Sequence, residues 1–507
     1  MRETGATRGL VWTAAACITV SLLVMIGVSI AGPSISVPAM AHAPNGAPPW
    51  WVSLGLSQPV ELFVMWGTAV VAAIGVGAGL LAVARGARPP VRPMLVASFI
   101  VIAAFAFTPA AGTTDTQSYA IDGNMVVLRH SPYVYTPAQM VRLGDKLAVG
   151  SPPTWAQALS DYGPIATGEE WASAALGGHS MALITFWLKL FVAIAFGAVV
   201  LLFDRLFRDD QAMRLRAHLL WSLNPLLLWE IVASGHIDGL AVAFGVAGLV
   251  VLRFTRTGAM PTLARCAAAG TLLGAAAATK SPLALFLVGA LWAVRRSPKR
   301  IASVLGGWLA VTGVAYAIAG EPALNVLFQR GQQITWDNLY QLFYRPFGLA
   351  GPLGDDQVPG FVFPLALTVF LCVAVLAFVR LPDRAPALPG VTPALALSLA
   401  WIFFWPFQRP WYDVMIIALL VLYPSSRLDA VVLIRLGFAA VTYMEAISVP
   451  HRDWFQQVQF FEGEWVTSSV RLLAAVALIW MCVRGRWGGR PDQPAPAPDA
   501  SVLQPQA

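Results

Sequence analysis

Residues 216–253 read RAHLLWSLNPLLLWEIVASGHIDGLAVAFGVAGLVVLR. Two apolar runs, 216–234 and 239–253, flank a short polar hairpin, Ser234-Gly235-His236-Ile237-Asp238-Gly239. Apolar runs of about 20 residues, coiled as helices, match the hydrocarbon thickness of a bilayer. Arginines stand at both far ends of this pair: Arg214 and Arg216 at its start, Arg253 and Arg256 at its end. Both ends therefore read as cytoplasmic, because short cytoplasmic loops collect Lys and Arg. The hairpin then falls on the opposite, outer face.

The same grammar extends along the chain. Apolar runs fall near 10–31, 61–84, 93–111, 182–203, 264–280, 282–294, 301–320, 361–379, 390–407, 412–424, 429–449 and 467–483. With the first pair they predict an all-α polytopic membrane protein of about 13–14 transmembrane helices. If the N-terminus is cytoplasmic and the helices alternate, about two thirds of the 33 basic residues fall on the cytoplasmic side. The first run reads as a retained helix rather than a cleaved signal, since no clear small-residue cleavage site follows it. Residues 1–484 form one membrane domain in this reading. Residues 485–507 form a cytoplasmic tail that turns Pro-, Ala- and Gln-rich and reads as disordered.

Composition agrees. Of the 507 residues 57% are hydrophobic and 12% charged, about half the charge of a soluble domain. The net charge of +7 is a topology signal. A nucleic-acid partner would need a basic face with polar or aromatic readers, and the chain has none. Cys17, Cys266, Cys372 and Cys482 all lie in apolar runs, which argues against a disulfide framework or a metal site. No phosphate-binding glycine loop and no nucleotide fingerprint are present. No cofactor is expected.

Two outer loops are long, about 112–181 and about 321–360. They carry Tyr119, Tyr133, Tyr135, Trp155, Tyr162, Trp171, Trp336, Tyr340, Phe343 and Tyr344. Disordered segments are poor in aromatics, so packed, partly helical loops on the membrane surface are expected. Sugar C–H faces suit such rings; an interfacial aromatic belt is the plainer reading.

Four polar clusters map to that outer face. Asp115, in Thr113-Thr114-Asp115-Thr116-Gln117-Ser118-Tyr119, follows directly on an apolar run. Partial desolvation there would raise its pKa and make it a usable general base; capping the next helix is the alternative. Asp122 would share its helical face and competes for the role. Glu230 lies within two turns of the outer end of its run, with His236 and Asp238 in the hairpin. They either serve a site or bond nearby backbone. Lys280 is a lone ammonium at the outer end of a helix, suited to phosphate or to snorkelling. Arg409, Trp411 and Tyr412 sit in Trp405-Pro406-Phe407-Gln408-Arg409-Pro410-Trp411-Tyr412-Asp413, a donor fork beside stacking faces in a proline-shaped turn. Together these are the groups needed to deprotonate a hydroxyl and hold a departing phosphate. Lys189 is the main intramembrane charge outside the clusters.

In order and spacing these elements resemble the actinobacterial polyprenol-phosphomannose-dependent α-1,6-mannosyltransferases, of the multi-helix GT-C glycosyltransferase fold. The resemblance rests on Asp115, Ser118, Tyr119 and Ala120, then Ser131-Pro132-Tyr133 with Pro137, and Trp155 leading to Tyr162-Gly163-Pro164. It continues through Asn224-Pro225-Leu226-Leu227, His236 with Asp238, and Lys280 with Pro282. It implies that Asp115 is the base in one inverting step. A mannosyl group would pass from polyprenyl-phosphate mannose, a membrane lipid, to a mannan or lipoglycan acceptor at the outer face of the plasma membrane. Lys280, His236 and Arg409 would hold the leaving phosphate. Tyr119, Tyr162, Glu230, Asp238, Trp411 and Tyr412 would line the substrate site, with no metal. A polyprenyl-phosphate-sugar flippase and an arabinosyl or other pentosyl transferase remain alternative readings of the same residues.

Overall fold

A computed structural model describes residues 5–254, 259–329, 334–344, 346, 360–443 and 454–488. The tail beyond 488, the end of the 429–449 run and most of 345–359 lie outside them. Among the described residues the secondary structure is helical, with no strand.

Among the described residues the fourteen apolar runs fall on helical elements. Six helices are individually long and apolar enough to cross a membrane: Gly5–Ile30, Gln58–Ala84, Met181–Leu206, Pro298–Ala319, Val362–Arg380 and Gln457–Arg484. The pair Pro225–Ala233 and Asp238–Val251, bent by 112°, would make a seventh. Val91–Phe107, Leu263–Thr279, Ser281–Ala293, Val391–Phe404 and Pro410–Leu422 are apolar but shorter. A 17-residue helix is about 25 Å long, at the short end of what crosses roughly 30 Å of hydrocarbon. Leu263–Thr279 meets Pro298–Ala319 with Gly270 against the Val304 carbonyl and Gly307 against the Ala267 carbonyl. Small residues permit this close backbone approach.

The 216–234 run is not one regular helix. It divides into a π-helical turn at His218–Ser222, a helix at Pro225–Leu228 and a second π-helical turn at Trp229–Ala233. Pro225 has no N–H to continue the earlier ladder. Asn224 caps the new start, its side chain accepting from Leu227 N. Gly235 closes the segment at φ +74°, and a Cβ there would lie 2.8 Å from both Lys189 Cγ and Thr116 Cγ2.

Three ties bring the clusters to one end of the bundle. Lys189, fully buried, donates to the carbonyls of Phe105, Thr108 and Pro109 at 2.7, 2.7 and 2.8 Å. This satisfies the open C-terminus of Val91–Phe107. Ala111 N–H donates to the Ala233 carbonyl at 3.1 Å, and Ser234 Oγ donates to the Ala111 carbonyl at 2.7 Å. Gly163 N–H donates to the Thr279 carbonyl at 3.1 Å, and a Cβ at 163 would collide with the Ala278 carbonyl. The 112–181 loop is packed and partly helical, as its aromatics predict, with helices at Asp115–Val127 and Pro164–Gly177.

Candidate functional site

Asp115 is the first residue of its helix, after an N-cap residue, Thr114, that makes no side-chain cap bond. Asp115 Oδ1 accepts the Trp155 indole N–H at 2.9 Å, and Oδ2 lies 3.9 Å from His236 Nδ1. Burial raises the carboxyl from its ordinary 3.8 to about 6. Arg409, the Trp155 hydrogen bond and Lys280 pull it down, while Asp161 pushes it up. A carboxylate so placed is largely ionised at neutral pH yet basic enough to take a proton.

Tyr119 and Tyr162 meet edge to face with hydroxyls 2.7 Å apart, and the Tyr119 hydroxyl lies 3.2 Å from His236 Nδ1. Burial, foremost, pushes both phenols well above their ordinary range, so both stay protonated as hydrogen-bond donors. His236 is fully buried and stacks on Trp411 with centroids 3.8 Å apart. Its ring meets Tyr119, Trp411 and, at 3.9 Å, the Asp115 carboxylate.

Lys280 is not a lone charge. Its ammonium pairs with Asp238 Oδ1 at 2.6 Å and sits over the Tyr412 ring at 3.9 Å and the Tyr162 ring at 5.2 Å. Arg409 presents its guanidinium to the rings of Tyr443, Phe407 and Trp411 at 4.9, 5.1 and 5.9 Å. Asp115, Tyr119, Asp122, Tyr162, Arg409, Trp411 and Tyr412 line one cleft of about 530 Å³, counting its open mouth. Lys280 and Asp238 border a smaller apolar crevice that shares Tyr412 with the cleft.

The clusters thus converge, with one exception. Glu230 is buried in the π-helical turn, absent from both cavities, with Asp413 as its charged neighbour. Sequence reasoning also left out residues that the fold brings in. Trp155, in sequence a loop aromatic and part of the family resemblance with no site role implied, holds the Asp115 carboxylate. Asp161 lines the cleft, and its position beside Tyr162 was the available signal. Tyr443 lies against Arg409, with no local signal marking it.

A carboxylate, two protonated phenols, two cations and flat ring faces can activate a hydroxyl, hold a phosphate and stack a sugar. Residues 11–296 match the family described as alpha-(1->6)-mannopyranosyltransferase, N-terminal domain. The chain is similar to a probable alpha-(1->6)-mannopyranosyltransferase of Mycolicibacterium smegmatis. They are 24% identical over 444 residues, covering 78% of this chain and 77% of the relative. It is also similar to an alpha-(1->6)-mannopyranosyltransferase of Mycobacterium tuberculosis. That pair is 23% identical over 364 residues, covering 60% and 61% of the two chains. The matched domain contains Asp115, Tyr162, His236, Asp238 and Lys280; Arg409, Trp411 and Tyr412 lie beyond it.

Proposed function

Because the chain belongs to the alpha-(1->6)-mannopyranosyltransferase family, we propose that it moves a mannosyl group from polyprenyl-phosphate mannose to a mannan- or lipoglycan-type acceptor. The transfer is inverting and takes place at the outer face of the plasma membrane, with both termini cytoplasmic. Asp115 Oδ2 takes the acceptor hydroxyl proton, and the hydroxyl oxygen attacks C1 of the β-linked donor. The C1–O bond to phosphate breaks, its electron pair leaves with the phosphate, and an α-mannoside and polyprenyl phosphate result. Lys280 and Arg409 stabilise the charge gathering on the leaving phosphate. His236 orients Trp411 and Tyr119 beside it. Tyr162, Tyr412 and Asp238 complete the pocket.

The observation that carries this reading is the facing of opposite charges across one cleft. Asp115 and Arg409 line that cleft, and Lys280 stands behind Tyr412, the residue the cleft shares with the smaller crevice. The apolar crevice beside Lys280, lined by Val242, Pro282, Leu283, Trp401, Val414 and Met415, has the chemistry to take the first isoprene units of a lipid carrier. The 112° break at the hairpin favours the flippase reading to one degree, because transporters use broken helices at their binding sites.

The test is sugar transfer in membranes from radiolabelled polyprenyl-phosphate mannose to an oligomannoside, comparing wild type with Asp115→Asn. Transfer by wild type alone supports the reading. Equal transfer by both removes Asp115 as base, and no mannosyl transfer by either brings forward the flippase or a pentosyl donor.

A further inference from the structure

The turn carrying Arg409 is held from behind by a segment about seventy residues away in sequence. Thr335, Asp337, Asn338 and Gln341 are each 2% exposed or less. They lie against the exit of Val391–Phe404, where helix carbonyls lose their intrahelical partners. Tyr340 Oη donates to the Phe404 carbonyl at 2.9 Å, Asn338 Nδ2 to the Trp405 carbonyl at 3.2 Å, and Thr335 N to the Pro406 carbonyl at 3.2 Å. Gln341 Nε2 donates to the Thr335 carbonyl at 2.8 Å, folding the segment on itself.

At its centre Asp337 faces two ways. Oδ1 accepts the Tyr443 hydroxyl at 3.3 Å, and Oδ2 pairs with Arg471 Nη2 at 2.5 Å. The Tyr443 ring is the one against which the Arg409 guanidinium rests, at 4.9 Å. The chain of contacts runs from the last long helix, through Arg471, Asp337 and Tyr443, to a cation in the cleft. A buried ion pair adds little net stability compared with apolar residues of similar volume. What it supplies here is a fixed direction for a ring beneath a planar cation.

We propose that Asp337 and Tyr443 are positioning residues that aim Arg409 at the leaving phosphate. Neither touches the cleft; each acts through the next. The inference rests on Arg409 contacting that phosphate, as proposed above.

The experiment uses the full chain in membranes, with a short-chain polyprenyl-phosphate mannose donor and an oligomannoside acceptor. It measures kcat, both KM values and inhibition by the short-chain polyprenyl phosphate product. Tyr443→Phe keeps the ring and loses the hydroxyl. It should lower kcat about tenfold, weaken product inhibition in proportion and leave the acceptor KM unchanged. In an Arg409→Lys background the same change should cost less than about threefold, because coupled residues do not add. A merely structural Tyr443 would not weaken product inhibition selectively. Wild-type kcat and inhibition in Tyr443→Phe, or an undiminished effect in the Arg409→Lys background, would overturn the inference and leave the phosphate role of Arg409 standing. Wild-type behaviour of Arg409→Gln would overturn both. Asp337→Leu, which removes the acceptor, should reproduce Tyr443→Phe. If it fails to accumulate with Arg471 unpaired, Asp337→Leu with Arg471→Met removes both charges together and should give the same kinetics.

Discussion

Arg216, buried, and Lys280, only half-buried, each face a carboxylate, toward opposite ends of the bundle, and they are held differently. Arg216 grips both oxygens of Asp429 at 2.5 Å and also donates to the carbonyls of Leu420 and Tyr423 at 3.0 and 3.3 Å. Asp429 further accepts from Ser425 Oγ and Ser426 N. Nearby, Arg214 binds both oxygens of Asp204 at 2.5 and 2.7 Å, and His218 reaches the same carboxylate at 3.2 Å. Lys280, by contrast, has one carboxylate contact and two ring faces. Arg409 lies among rings. The 26-residue Met181–Leu206 helix, about 39 Å long, runs between the two regions. Where donors and acceptors saturate one another, charge fastens helices together. Where π faces flank a cation, its N–H groups are still able to meet an incoming anion.

The comparison breaks first at Asp115. Asp115→Asn should lower transfer more than about a thousandfold, read as initial rate per folded molecule. Its stability effect has the opposite sense. The folded pKa of about 6 exceeds the ordinary 3.8, so the carboxylate costs stability above pH 6 and not below pH 3.8. Thermal unfolding of the mutant at pH 7 should therefore be unchanged or later than wild type. An earlier transition would show that Asp115 is a structural partner. Asp429→Asn should do the reverse, destabilising by about 3 kcal/mol or more because Arg216 is left buried without its charge partner, with transfer per folded molecule intact. Reduced transfer in that mutant at full folding would dissolve the division between the ends. Lys280→Gln should cost roughly a hundredfold in kcat, as for one lost transition-state donor. A change confined to KM would make it a docking group instead. The smallest effect is expected at Trp155. Wild-type kcat/KM should fall below an apparent pKa of about 6 as the base protonates. Trp155→Phe removes an N–H bond that favours the ionised form, so that limb should move up, costing about tenfold or less at pH 6. An unmoved limb would detach the profile from Asp115.

Among the described residues, hydropathy alone located the long apolar helices, because burial in lipid leaves a compositional trace over 15 or more residues. It could not see the divisions at Ser222 and Trp229, since a π-turn alters hydrogen-bond register without altering polarity; Asn224-Pro225 was the sole local sign. The site was legible where a charge interrupted an apolar run: Asp115, Lys280, Arg409. Spacing also placed Asp122 on the same face as Asp115, and both line the cleft. Pairings were not legible. Nothing near Lys280 announces Asp238, and nothing near Arg409 announces Tyr443 or, behind it, Asp337 and Arg471. Glu230 shows the opposite failure. It too interrupts an apolar run, but the π-turn carries it into the protein interior.

Lys189 bears on how the molecule is put together. Its ammonium is shielded from lipid by three carbonyls contributed by residues 105–109. A bare ammonium within hydrocarbon is expensive, so the Met181–Leu206 helix is poorly suited to enter a bilayer by itself. The helix that solvates it comes earlier in the chain and is already made when Lys189 emerges during synthesis. The order of the sequence thereby supplies a docking partner in time, and the same latch that admits the helix fixes the approach to Asp115.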